Sequence, residues 1–85
     1  RFDEAITAGQ EAFAIYRETG DRHGEGTALN SLGLALRAVR RFDEAITAHQ
    51  EAAAIYRETG DRHSAGIAIQ NLEKDRAAQV AEADS

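Results

Sequence analysis

Apolar residues return along this chain at helical spacing. Phe2, Ala5, Ile6, Ala12, Phe13 and Tyr16 fall on one stripe, which predicts a helix from about Asp3 to Thr19. Gly20 follows as a stop signal, because glycine enters the left-handed conformation without penalty. Asp21 then suits the N-cap of a second helix, predicted from about Arg22 to Val39, with Ala28, Leu29, Leu32, Gly33 and Leu36 on one face. The pattern then starts again. Asp43 to Thr59 copies the first helix, Gly60 and Asp61 copy the turn, and a last helix runs from about Arg62 to Ala81. Turns this short make neighbouring helices antiparallel, so the expected fold is all-α, with four antiparallel helices.

The copy is close to literal. Residues 1–23 read RFDEAITAGQEAFAIYRETGDRH and residues 41–63 read RFDEAITAHQEAAAIYRETGDRH, a period of 40 residues. Only two of these 23 positions differ, Gly9 against His49 and Phe13 against Ala53. Such self-similarity is the signature of a repeat architecture, in which one unit cannot bury its apolar face alone and neighbours stack into a solenoid. Gly33 fits that picture. A glycine inside a helix costs about 1 kcal/mol relative to alanine, and close approach of the next helix, with small Ala45 facing it, gives it a reason.

From Ala28 to Ala52 the chain carries Leu32-Gly33, the large apolar Leu36, Phe42 and then Glu44-Ala45-Ile46. These residues resemble the tetratricopeptide repeat family. The period is longer than that family's usual 34 or so residues. It is similar to the extended variety of Pins-type scaffolds, kinesin light chains and the sensor regions of large actinobacterial nucleotide-binding regulators. Arg40 stands where the family usually has glycine, and Gly9 and His49 stand where it often has a large aromatic. The resemblance implies a right-handed α-solenoid fragment: residues 1–20 as the second helix of a truncated repeat, 21–60 as one complete repeat and 61–85 as a C-terminal capping helix. It also implies a module that binds a protein or peptide partner.

In that family the first helix of each repeat lines the concave groove. Carried onto this chain, the groove-facing residues are Thr27, Asn30, Ser31, Leu34 and Arg37, followed by Ile67, Gln70, Asn71 and Lys74. Leu34 lies off the apolar stripe of its own helix. Asn30, Gln70 and Asn71 have donors and acceptors for an extended peptide backbone. Arg37 and Lys74 suit an acidic ligand group.

The two ends read differently. Aligned by the period, Gly33 and Leu36 become Glu73 and Arg76, charges that would be costly if a further helix buried them unpaired. This predicts an end cap. At the other end Phe2, Ile6 and Phe13 are expected to lack cover and to drive self-association of the isolated chain as a homo-oligomer.

Composition narrows the function classes. The net charge is −5 and basic residues are scattered, which argues against nucleic acid. No apolar run approaches membrane length, and the absence of cysteine excludes disulfides and thiolate metal sites; this fits a cytoplasmic home. His23 and His63 lie one period apart and therefore hold the same structural place twice. There is no HExxH and no phosphate-binding loop. No catalytic residue, metal or cofactor is expected. The alternative to a binding scaffold is a purely structural or oligomerisation segment of a bacterial signalling regulator.

Overall fold

The computed structural model describes residues 1–85 and consists of four helices, α1 (Phe2–Thr19), α2 (Arg22–Ala38), α3 (Phe42–Glu58) and α4 (Arg62–Ala83). Their ends lie within two residues of the positions the pattern predicts. The turns show why. Gly20 adopts φ 77°, its N–H reaches Arg17 O at 3.3 Å, and the Asp21 N–H reaches Tyr16 O at 2.8 Å. These two bonds satisfy carbonyls that the helix end leaves free. The Asp21 carboxylate then accepts the Gly24 N–H at 2.9 Å and starts α2. One period on, Gly60, Asp61 and Ser64 repeat the arrangement. The middle turn uses the same backbone path with Arg40 at φ 65°, a conformation that costs a side-chain-bearing residue about 1–2 kcal/mol.

The helices pack in chain order. α1 touches α2 alone, α2 lies between α1 and α3 and brushes α4, and α3 packs on α4. The result is a slab of 42 × 27 × 15 Å. Its core is built on small residues. Ala45, Ala48, Ala52 and Ala53 of α3 are all buried, joined by Ile55 and Tyr56, by Leu29 and Leu36 of α2, and by Ala65 and Ala68 of α4. Alanines let helix backbones come close, and glycines bring them closer still. A Cβ added at Gly26 would stand 3.1 Å from Ile55 and 3.2 Å from Tyr56. At Gly33 the approach of the next helix is as expected, but the facing residue is not Ala45. A Cβ there would stand 2.5 Å from His49 Nε2, so the missing side chain makes room for an imidazole.

Candidate functional site

The nine residues expected on a groove separate into three groups. Leu34 and Ile67 are exposed, at 42% and 40%, and so are Gln70 and Lys74. Thr27 and Ser31 are exposed as well, but they border the cleft between α1 and α2. The Thr27 hydroxyl is also partnered: it accepts from Tyr56 OH at 3.1 Å and donates to the His23 carbonyl at 3.2 Å. Asn30, Arg37 and Asn71 form the third group. They are turned to one another across the α2–α4 seam. Asn71 is buried and donates to the Asn30 side-chain oxygen at 3.3 Å. Arg37 donates to the Asn71 carbonyl and to the Asp75 carboxylate, both at 3.1 Å.

Asp75 leads to a feature the sequence reading missed. His49 and Asp75 are both fully buried, and His49 Nδ1 bonds the Asp75 carboxylate. His49 Nε2 reaches the Asn30 carbonyl at 3.2 Å. Arg37, Asp75, His49, Asn30 and Asn71 thus make one connected polar network joining α2, α3 and α4. No buried side-chain nitrogen or oxygen in the chain lacks a partner. A network satisfied in this way fixes the relative placement of its helices, whereas a half-satisfied one would be costly. The signal was present as a paired difference between the repeats, Gly9 to His49 and Ala35 to Asp75.

The N-terminal residues also separate. Phe2 is exposed at 53%, and Phe13 is half-buried against the core with the Arg17 guanidinium 6.0 Å from its ring centre. Ile6, expected at the uncovered end, is instead a core residue at 5% exposure, because its side of α1 is the one α2 covers. The uncovered apolar surface of α1 lies elsewhere. Ile15 is exposed, and Ala8, Gly9, Ala12 and Tyr16 line an open cleft of about 360 Å³ against α2.

An ion pair and a histidine–carboxylate contact tie the repeat junction. Arg22 Nε donates to Glu58 at 2.7 Å, which holds the Glu58 carboxyl below its usual range. His23 Nε2 lies 2.9 Å from Asp61, with its ring 5.3 Å from that of Tyr56. The His23 ring and then the hydroxyl and amide of Ser64 hold the Asp61 carboxyl far below the ordinary carboxylate range. No group of three or more metal-ligating side chains converges, and no helix is long and apolar enough to cross a membrane.

Four antiparallel helices in two copies of one helix pair, with a glycine-mediated close approach, are the arrangement of a helical repeat. The sequence profile described as Tetratricopeptide repeat matches residues 1–58, more than half of the chain. No curated protein and no solved structure matches it. Tetratricopeptide repeats are non-catalytic and typically mediate protein–protein interaction. This 85-residue chain belongs to the tetratricopeptide repeat family.

Proposed function

We propose that the chain is a protein- or peptide-binding module of a larger scaffold or signalling regulator, with its contact surface on the exposed sides of α2 and α4. The observation that carries this reading is the pair of exposed aliphatic side chains, Leu34 on α2 and Ile67 on α4. They stand beside the Asn30–Asn71 and Arg37–Asp75 bonds, which hold the two helices at a fixed spacing. Ser31, Gln70 and Lys74 add polar groups around them. Apolar anchors with a polar surround suit a peptide partner, and Lys74 favours one bearing an acidic group. Asn30, Arg37 and Asn71 shape this surface from beneath and do not contact the partner.

The test is selection of displayed random peptides on the purified chain. Enriched peptides should lose at least tenfold in affinity against Leu34→Asp and Ile67→Asp, both of which keep the helical circular dichroism spectrum. Peptides that bind both variants as well as the parent would move the site elsewhere. No enrichment at all would favour the purely structural role.

A further inference from the structure

The 40-residue repeat makes the molecule its own comparison. The face that α2 lays on α3 and α4 has a counterpart one period later, on the outer side of α4. The face that receives it has a counterpart one period earlier, on α1 and the start of α2. Each contact can therefore be written out for one copy of the chain meeting another.

Several of these contacts reproduce themselves residue for residue. Arg22 binds Glu58, and one period displaced this is Arg62 of one copy with Glu18 of the next. His23 lies against Asp61 and Tyr56; displaced, it is His63 against Asp21 and Tyr16. Gly26 makes room for Ile55 and Tyr56; displaced, Gly66 makes room for Ile15 and Tyr16. In the single chain Arg62, Glu18, His63, Gly66 and Ile15 are exposed, Tyr16 is half-buried against α2, and Asp21 is exposed but already caps α2. Nothing lies within 4 Å of a Cβ placed on Gly66, and Ile15 is one of the most exposed large apolar residues.

Where the repeats differ, they differ in a complementary way. Gly33 faces His49, small against large, whereas the displaced pair is Glu73 against Gly9, large against small. The place the His49 ring fills corresponds, in the first repeat, to the cleft lined by Gly9, Ala12 and Ser31, although Gly9 itself is buried and a Cβ on it would stand 3.2 Å from Leu32. Leu36 sits in a cleft bordered by Asp43 and Glu44; displaced, Arg76 meets Asp3 and Glu4. Of the two charges that read as an end cap, Glu73 therefore meets a glycine in place of an imidazole, and Arg76 meets opposite charge, both on this chain's own first helix.

We propose that copies of this chain stack head to tail, the outer face of α4 of one copy seating on the α1–α2 face of the next as α2 seats on α3 and α4. The interface joins two different surfaces, so it does not close on itself and the assembly grows as an open superhelical rod.

The test is sedimentation equilibrium of the 85-residue chain, without peptide, from micromolar to millimolar concentration. It is independent of the peptide-binding reading. The mean mass should climb past the dimer without a plateau. Gly66→Gln should stay monomeric with an unchanged or higher Tm, since the new side chain points into open space and glutamine is the better helix former. Arg62→Glu and Glu18→Arg should each weaken association, and mixing the two should restore it, because every junction in the mixture can pair opposite charges. A parent chain that is monomeric throughout or stops at a dimer overturns the proposal. So does a Gly66→Gln variant that associates as the parent does, or a mixture that does not recover.

Discussion

Ile15 and Ile55 sit in the same ten-residue sequence, AIYRETGDRH, yet Ile15 is 61% exposed and Ile55 only 4%. Tyr16 is half-buried where Tyr56 is buried, and Ala5 and Ala8 are exposed where Ala45 and Ala48 are buried. Locally the two copies differ only in Gly9 against His49 and Phe13 against Ala53. The exposure differs because α2 lies on α3 and α4, while no helix lies on the matching face of α1. The comparison teaches that in a repeat protein the same residues are core or surface according to the neighbour, and that an uncovered copy displays the shape of what would cover it.

The sharpest way to break this comparison is through the polar pair that only the second repeat has. Asp75→Ala leaves the His49 ring and Arg37 without their carboxylate, and removal of one partner of a buried pair costs roughly 3–5 kcal/mol. His49→Ala combined with Asp75→Ala makes the second interface resemble the first. It should therefore cost clearly less than the sum of the two single changes, as urea denaturation of the double-mutant cycle will show. Strict additivity would mean that the pair does not act as a unit.

The next effect concerns the tyrosines. Truncating a large buried aromatic costs about 3 kcal/mol or more, so Tyr56→Ala should approach that value, since it also removes the bond to Thr27. Tyr16→Ala, in identical local sequence, should cost less than half as much at concentrations where the chain is monomeric. Equal losses in the urea midpoint would sink the claim that coverage by α2 sets the difference.

The smallest effect is electrostatic and appears only in acid. The His23 ring and the Ser64 groups depress the Asp61 pKa. A depressed carboxylate contributes stability that is complete above its unfolded value of about 3.9 and is lost as pH falls through the lower folded value. Asp61→Asn keeps a side-chain oxygen for the Ser64 N–H but removes the charge. The variant should be less stable than the parent from about pH 4 upward and should converge with it toward pH 2. A constant offset across that range would assign the effect to the cap and not to the charge. In the single chain Asp21 caps α2 with no histidine beside it, so it provides the internal control at concentrations where the chain is monomeric.

Much of the architecture was legible in the chain. The 3.6-residue spacing, Gly20 and Gly60, and Asp21 and Asp61 determine four helices and two of the three turns, because these are local hydrogen-bonding and steric requirements. The 40-residue copy determines that the helices stack as repeats. Leu34 was also readable as an outward position, since it falls off the apolar stripe of its helix, and Ile67, Gln70 and Lys74 followed from the family resemblance. The tertiary structure decided the rest. Helical periodicity says which side of a helix is apolar, but not how that helix is rotated against its neighbours. This is why Ile6 proved to be core, why His49 and not Ala45 faces Gly33, and why Asn30, Arg37 and Asn71 bond across the α2–α4 seam. Polar side chains long enough to reach two surfaces are bonded by whichever partner the packing brings within reach. Here that partner was Asp75, 26 residues from His49 and 38 from Arg37.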